Sequence, residues 1–248
     1  MIKNISVVII VKNGGKTIKS TLDALSEFSD VVVYDNGSTD NTLGITGAYL
    51  NVNLVQGDFL GFGMTKNKAA TYAKNDWILS LDADEVLGAD FLIGLAHLSL
   101  NQASVYQIFR KNFYQQKHIK HCWNNDKIAR LYHRQKTRFN NKKVHESILT
   151  DKLNVVLING FVNHYPYSNI SDFIKKLDIY SSEFALDNIG KKSSSPIKAV
   201  LNGGFSFFKT YFLKRGFLDG YAGLVIAFSH MATNFYKYIK LYELNRKK

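Results

Sequence analysis

The chain has 248 residues, of which 46% are hydrophobic and only two are prolines, a composition that excludes an intrinsically disordered protein. Its single cysteine, Cys122, excludes an intramolecular disulfide framework and indicates a reducing compartment. The formal net charge of +12 predicts an anionic partner, either a membrane surface or a phosphorylated substrate, and the lack of nucleic-acid-binding motifs leaves nucleic acid unexpected.

Strands and helices alternate in the first third of the chain. We expect strands at residues 6–11, 31–34, 52–55 and 77–81, and helices at residues 17–28, from about residue 39, and at residues 64–74. The first strand is a β-branched run without alternation, which is typical of a parallel strand buried on both faces. The alternation of strand and helix predicts right-handed crossovers and a doubly wound α/β sheet.

The pattern changes after residue 88. A short amphipathic helix at residues 91–100 is followed by strands at residues 105–113, 128–133 and 155–161, with longer loops between them. These strands predict a mixed sheet, in which an acceptor site can be assembled.

The last 80 residues are expected to be helical, with a helix at residues 170–186 and an aromatic, basic stretch at residues 197–248. Aromatic side chains beside cations suit helices that lie in a lipid headgroup layer. A helical cap with a solvated basic rim is the other interpretation, and both can hold at once. No apolar segment reaches the roughly 20 residues of a spanning helix, and the first strand is too short for a signal peptide. We therefore expect a soluble or peripheral protein.

Acidic residues follow two of the predicted strands. Asp35 ends the second strand, and Asp82, Asp84 and Glu85 follow the fourth. Because the carboxyl ends of parallel strands face one crevice, these distant acids can line a single site. Two carboxylates spaced by one residue can converge on a divalent cation that also carries phosphate oxygens, whereas the alternative is a solvated acidic turn. The glycine fingerprint of dinucleotide folds and the Walker lysine pattern are both absent.

Five motifs, in order, resemble the family 2 inverting glycosyltransferases of the GT-A fold. They lie at residues 6–13, 35–40, 66–67, 81–85 and, after Arg130-Leu131, 144–146. The resemblance implies a GT-A type nucleotide-sugar-binding fold, a doubly wound mixed sheet with a C-terminal helical, membrane-associating appendage. It implies a catalytic domain at residues 1–168, with a donor half at 1–87 and an acceptor half at 88–168, and a helical amphipathic region at 169–248. Within the family the chain is most similar to bacterial lipopolysaccharide-core β-glucosyltransferases, through residues 61–63, 123, 126, 144–146 and 216–220.

The resemblance implies a nucleotide-sugar site with a Mg²⁺ or Mn²⁺ ion. The implied donor-binding residues are Val11, Lys12, Asp35, Lys66, Asp82 and Arg130, and the implied metal-binding residues are Asp84, Asp82 and His164. Asp35 would accept from the nucleobase, as the corresponding acid of the family does with uracil. Lys12 and Lys66 would counter the charge of the diphosphate, and Lys66 stands where the family often has arginine. Asp84 is the expected metal ligand, whereas Asp82 would approach the ribose or share the metal. His164 would be a further contact of the metal or the phosphate, and a satisfied core histidine is its alternative.

Inversion requires a carboxylate that deprotonates the acceptor hydroxyl as it attacks. Glu146 is the expected base by its match to the Val-His-Glu tripeptide of the family, and Asp126 is the second candidate. A surface ion pair with Lys142 or Lys143 is the alternative for Glu146. His145 is left as a residue that orients the base or the acceptor, and Glu85 as a further contact of the site or a cap.

The function that the resemblance implies is metal-dependent, inverting hexosyl transfer. The expected donor is a UDP-hexose, with glucose as the sugar, and the expected acceptor is a heptose of the lipopolysaccharide or lipooligosaccharide inner core. The expected location is the bacterial cytoplasm, on the cytoplasmic face of the inner membrane. The alternatives are the same fold acting on a polyprenyl phosphate, a capsule or a protein side chain, and a non-catalytic membrane-surface binding protein.

Overall fold

The computed structural model describes residues 2–124, 126–141 and 146–246. Its ten strands are β1 (Ile5–Val11), β2 (Val31–Asp35), β3 (Val52–Gln56), β4 (Trp77–Asp82), β5 (Glu85–Leu87), β6 (Ser104–Tyr114), β7 (Lys117–His118), β8 (Asp126–His133), β9 (Asn154–Leu157) and β10 (Val162–Tyr167). Its α-helices are α1 (Ile18–Asp23), α2 (Thr42–Thr46), α3 (Phe62–Ala70), α4 (Ala89–Ala96), α5 (Ile170–Asn188), α6 (Pro196–Phe208) and α7 (Tyr221–Arg246). A π-helical turn at Lys209–Leu213 and a 3₁₀ turn at Gly216–Asp219 join the last two helices.

The first half of the sheet is parallel, as the alternation of strand and helix predicts. Strands β3, β2, β1 and β4 lie side by side in that order, and all three of their pairings are parallel. Alternate residues of β1 enter two different cores: Val7 and Ile9 pack with α1 and α4, whereas Val8 packs with α3. Burial on both faces explains why these strands are continuous apolar runs.

The second half of the sheet is mixed, as expected. Strand β8 pairs antiparallel with both β4 and β6, while β9 pairs parallel with β6. The full strand order is β3-β2-β1-β4-β8-β6-β10-β5. This α/β architecture with C-terminal helices confirms the expected fold class.

Some element boundaries differ from the expectation for a local reason. Helix α1 ends at Asp23 and α3 at Ala70, although the periodic patterns continue to residues 28 and 74. After each helix the backbone continues in i→i−3 hydrogen bonds, so the last apolar residues remain buried in turns. The strands β5, β7 and β10 were not expected, because two of them are very short and β10 contains a proline and several polar residues.

The chain divides into two compact units, residues 1–111 with 125–164, and residues 112–124 with 165–248. The domain limits expected from the sequence remain a prediction. In the second unit α7 packs against α5 and α6. The buried Asp219 carboxylate accepts hydrogen bonds from three consecutive backbone N–H groups, at Lys120, His121 and Cys122. None of the described helices combines the length and apolar character that crossing a membrane requires.

Candidate active site

The loops after β1 and β2 are fastened to each other. Asp35 is buried at the end of β2, and its Oδ2 accepts from the backbone N–H groups of Gly37 and Ser38, both at 3.0 Å. From the loop after β1, the Asn13 Oδ1 accepts from the N–H of Thr39 at 2.7 Å. Asp35 thus shapes the loop in which it lies. Its predicted contact with the nucleobase stays a prediction.

The fourth strand ends in a carboxylate that is shared by two cations. The Asp82 Oδ1 lies 2.9 Å from the Lys66 Nζ, and its Oδ2 accepts from the Arg130 Nη2. Burial raises the pKa of the Asp82 carboxyl, but Arg130 and Lys66 together hold that pKa well below its ordinary value. Asp82 is therefore ionised at neutral pH, with 34% of its side chain exposed.

Glu85, three residues later, is fully buried at the start of β5. Its Oε1 accepts from the Arg130 Nη2 at 2.8 Å and the Arg110 Nη1 at 2.9 Å, and its Oε2 accepts from the backbone N–H of Asp82 at 3.0 Å. Burial raises the pKa of Glu85, but the two arginines lower it more, so the group is charged. Glu85 thus contacts Asp82, Arg110 and Arg130, and its expected role as a further contact of the site or a cap stays a prediction.

Arg130 reaches these acids from a β-bulge. Tyr106 pairs with Leu131 but Gln107 pairs with Ala129, which leaves Arg130 as the extra residue of β8. Bulges re-aim side chains and are common beside active sites. The guanidinium is 2% exposed and its pKa is raised, because the attraction of Asp82 and Glu85 outweighs the cost of burial.

Lys66 also holds the expected base. Its Nζ lies 2.7 Å from the Glu146 Oε1, while the lysine itself is almost fully buried. The neighbouring Asn67 exchanges two hydrogen bonds, each of 2.9 Å, with the backbone of Phe139. Gly63 permits the close contact between α3 and the backbone at Asn140, because a Cβ on residue 63 would lie 1.9 Å from the Asn140 carbonyl oxygen.

The alternative partners of Glu146, Lys142 and Lys143, lie outside the described residues, as does His145. The structure therefore describes Lys66 as a partner of Glu146 and says nothing of these other three.

Asp126, the second candidate base, is held by Arg110. Its Oδ2 lies 3.0 Å from the Arg110 Nε and 2.8 Å from the Nη2. Seven side chains thus form one chain of alternating charge, in the order Glu146, Lys66, Asp82, Arg130, Glu85, Arg110 and Asp126. We call it the ion-pair chain. The two candidate bases stand at its two ends, and the donor-side acid Asp82 lies within it.

Asp84 and His164 lie beside the ion-pair chain. The His164 Nε2 is 3.7 Å from the Asp84 Oδ1, and His164 is paired with Glu85 between β10 and β5. Burial lowers the pKa of His164 despite the opposing effect of Asp84, so the imidazole is neutral and able to bind a metal.

The donor atoms suit a metal that the substrate helps to bind. In the described part of the chain no three His, Cys, Asp or Glu side chains are grouped so that they could hold a metal ion by themselves. Mg²⁺ sites, however, commonly use one or two carboxylates together with substrate phosphates. Asp84 with His164 fits such a site, whereas each oxygen of Asp82 already accepts from one cation, Lys66 at Oδ1 and Arg130 at Oδ2.

Val11 is the last residue of β1 and Lys12 follows it; neither is a member of the ion-pair chain. Val11 is buried and its carbonyl accepts from the N–H of Asn36 at 2.8 Å, while Lys12 is exposed. The predicted donor contacts of these two residues stay predictions.

The sequence reasoning did not single out Arg110. The sequence nevertheless contains a pattern that indicates its importance. Tyr106, Ile108 and Arg110 are alternate residues of one strand, and the first two are buried in the hydrophobic core. A cation in that series is expected to be buried with a partner.

The mixed α/β fold with C-terminal helices is of the GT-A glycosyltransferase type. The family model described as glycosyl transferase family 2 matches residues 6–156. The chain is 30% identical over 261 residues to the uncharacterized glycosyltransferase RP128 of Rickettsia prowazekii, covering 99% of this chain and 89% of that protein. It is 31% identical over 262 residues to an uncharacterized glycosyltransferase of Rickettsia bellii, covering 98% and 87%. The chain belongs to glycosyl transferase family 2.

Solved structures show a distant likeness. S. aureus TarS in complex with UDP is 18% identical, with a TM-score of 0.48, and the match covers 98% of this chain and 91% of that one. Glucosyl-3-phosphoglycerate synthase from Mycobacterium tuberculosis, in complex with Mn²⁺ and UDP, is 23% identical over 45% of this chain and 44% of that one, with a TM-score of 0.36. Family membership rests on the family model and the curated relatives. The chain is thus a hexosyltransferase enzyme that uses a nucleotide sugar, and the non-catalytic alternative does not hold.

Proposed function

We propose that this glycosyltransferase moves glucose from UDP-glucose, with inversion, to a heptose of the lipopolysaccharide inner core. The ion-pair chain is the observation that supports this proposal most. It joins Asp82, at the carboxyl edge of the parallel strands, to both carboxylates that can serve as base. A donor bound at that edge would therefore meet a base at one end of the same charged chain.

Single displacement needs one proton acceptor and one stabilised leaving group. The Glu146 carboxylate takes the proton of the acceptor hydroxyl while the oxygen forms its bond to the anomeric carbon. The bond from that carbon to the diphosphate oxygen breaks, and UDP leaves with the electron pair. Lys66 holds the Glu146 carboxylate in place through its 2.7 Å contact and has a third ammonium proton to offer the diphosphate.

Asp84 and His164 would hold Mg²⁺ or Mn²⁺, with Asp82 as the third ligand. The ion, when bound, supplies positive charge that neutralises the departing diphosphate. The exposed Lys12 would add a second positive charge near the diphosphate. Asp35 would hold the conformation of the loop that receives the nucleobase.

The second unit supports a lipid-linked acceptor. Many of its large apolar side chains are exposed on α6, the two turns and the start of α7, among them Ile197, Val200, Leu201, Phe205, Phe208, Phe212, Leu213, Phe217, Leu218 and Phe228. Ring contacts link several of them through Phe207, and the same segment carries Lys198, Lys209, Lys214 and Arg215. We call this set the aromatic–basic surface. Apolar side chains beside cations favour an anionic membrane, here the cytoplasmic face of the inner membrane.

Other acceptors remain competing proposals. A polyprenyl phosphate would use the same apolar and cationic surface, and a capsule or a protein side chain would not need it. Mass analysis of lipopolysaccharide from a strain that lacks the protein distinguishes these acceptors from the heptose. Only transfer to an inner-core heptose predicts a core shortened by one hexose in that strain.

Glu146→Gln tests the assignment of the base. The amide keeps the size of the side chain but cannot take a proton, so we expect transfer to fall by roughly 10²- to 10⁴-fold. Binding of UDP with Mn²⁺, measured by calorimetry, should persist.

Asp126→Asn is the matched variant at the other end of the ion-pair chain, and we expect it to retain far more transfer. If Asp126→Asn abolishes transfer while Glu146→Gln turns over normally, Asp126 is the base. If neither affects transfer, the mechanism is wrong.

A further inference from the structure

Glu85 holds three donors with one buried carboxylate. Two guanidinium groups and the backbone N–H of Asp82 converge on its two oxygens, and the side chain is fully buried. A charge in such a place is stable only when its partners are complete, and removal of one partner of a buried pair is costly. The group is therefore held in one position.

Each of the two arginines that Glu85 holds also binds a carboxylate of the site. The Arg130 Nη2 is shared between Glu85 and Asp82. Arg110 donates its Nη1 to Glu85 and its Nε to Asp126. The orientation of each arginine, and hence of the acid beyond it, depends on where the Glu85 carboxylate lies.

Glu85 also acts on the acidic turn directly. Its Oε2 accepts from the backbone N–H of Asp82, three residues earlier. This hydrogen bond joins the first and last residues of the turn. Asp84 lies inside that closed turn. The positions of Asp82 and Asp84 are thus tied to one buried carboxylate.

We propose that Glu85 is a positioning residue that fixes Asp82, Asp84 and, through Arg110, Asp126 for the binding of the metal–diphosphate. The inference rests on the proposed function, because that assigns the donor to this edge of the sheet. In this proposal Glu85, which is fully buried, acts through these partners and not by contact with the substrate or the metal.

Glu85→Gln is the informative change. Glutamine has one acceptor oxygen and a donor –NH₂ group, so at least one of the three donors that now meet the carboxylate would face another donor. Loss of a residue that hydrogen-bonds to a metal ligand typically lowers metal affinity or activity by about 10- to 100-fold. We expect that range for the loss of affinity for UDP with Mn²⁺, measured by calorimetry, and for Mn²⁺ itself by electron paramagnetic resonance in the presence of UDP.

Asp30→Asn is the matched control. Asp30 is a buried carboxylate of the same unit that accepts from the backbone N–H of Lys74 at 2.8 Å, and it lies before β2 rather than after a strand. Its replacement also removes a buried charge, but at the opposite end of the parallel strands. We expect a lower melting temperature with nearly unchanged affinity for UDP with Mn²⁺.

A folded Glu85→Gln protein that binds UDP with Mn²⁺ as tightly as the Asp30→Asn protein would overturn the proposal and leave Glu85 a structural residue. Should Glu85→Gln not fold, Glu85→Asp keeps the charge and withdraws it by one methylene. We expect weakened binding there too, and wild-type binding by Glu85→Asp would equally overturn the proposal.

Failure of the proposed function has a different signature. If the wild-type chain does not bind UDP with Mn²⁺, the choice of donor is wrong whatever Glu85 does. The same comparison of Glu85→Gln with Asp30→Asn is then made with the nucleoside diphosphate, from a panel with Mn²⁺, that the wild-type chain binds.

Discussion

Lys66 illustrates what the sequence can and cannot reveal about a single residue. Its motif marks it as a cation of the donor site, but the structure adds that two of its three ammonium protons are directed to Asp82 and Glu146. Those partners are 16 and 80 positions away along the chain, and no local pattern encodes such a meeting. Glu85 and Arg110 were harder still. The alternation along β6 indicates that Arg110 is directed into the core, but only folding brings either side chain to its partners.

Gly63→Ala tests the close approach that brings Lys66 to Glu146. The added Cβ would lie 1.9 Å from the Asn140 carbonyl oxygen, so α3 or the backbone at Asn140 must move. Asn140 donates its N–H to the carbonyl of Ser147, next to Glu146, so we expect such a movement to displace the base. Such overpacking typically costs about 1–3 kcal/mol, and a misplaced base can lower turnover by about 10²-fold. We expect transfer, measured with a saturating donor, to fall more than UDP affinity.

Gly204→Ala is the control for this glycine change, because nothing lies within 4 Å of its added Cβ. We expect it to retain full transfer. Equal activity of the two variants would show that the approach at Gly63 does not position Glu146.

At the scale of elements, the strongest patterns predicted the strands that matter most. Strands β1, β2 and β4 are nearly as expected because burial on both faces makes them continuous apolar runs. The positions of Asp35 and Asp82 at the ends of β2 and β4 were therefore predicted as well. The short β5 was not expected, although it carries Glu85 and pairs with β10. Three residues hold too little periodicity to indicate a strand, and its partner lies some 75 residues away.

Helix α5 begins with a reciprocal cap that can be tested. The Asn169 side chain accepts from the N–H of Asp172 at 3.1 Å, and the Asp172 carboxylate accepts from the N–H of Asn169 at 3.3 Å. Asn169→Ala removes the first bond, so we expect the free energy of unfolding in urea to fall by about 1 kcal/mol. Ser171→Ala, at an exposed position of the first turn, should change little, and equal stability of the two variants would contradict the role of the cap.

For the whole molecule, the formal charge of +12 and the acidic site have separate explanations. Four acids and three cations of the ion-pair chain nearly balance, so the excess of cations lies elsewhere, and the aromatic–basic surface holds part of it. The composition predicted an anionic partner, but only the structure indicates where large apolar side chains remain exposed beside those cations. The helical-cap interpretation can hold together with membrane binding.

Leu201→Glu combined with Phe205→Glu tests the membrane proposal. The two side chains are exposed and stand four residues apart on α6, so they share one face. Burial of each side chain in lipid is worth about 2 kcal/mol, and we expect sedimentation with phosphatidylglycerol-containing vesicles to weaken at least about tenfold. Wild-type binding should also weaken with added salt, because the charges are screened.

Leu50→Glu is the matched control for vesicle binding, since Leu50 is an exposed leucine of the other unit. It should bind vesicles like the wild type. An unchanged sedimenting fraction for the folded double variant would refute the proposal.

The burial of Cys122 has a practical consequence. Desolvation and the neighbouring Asp219 raise the pKa of its thiol to about 12, so hardly any reactive thiolate exists at neutral pH. Cys122 is also the chain's one cysteine. A cysteine introduced at an exposed position, such as Phe59 in the loop before α3, would therefore carry a fluorophore or spin label alone, without prior removal of the native thiol. The wild-type sequence can therefore serve directly as the parent for single-label spectroscopy of donor binding.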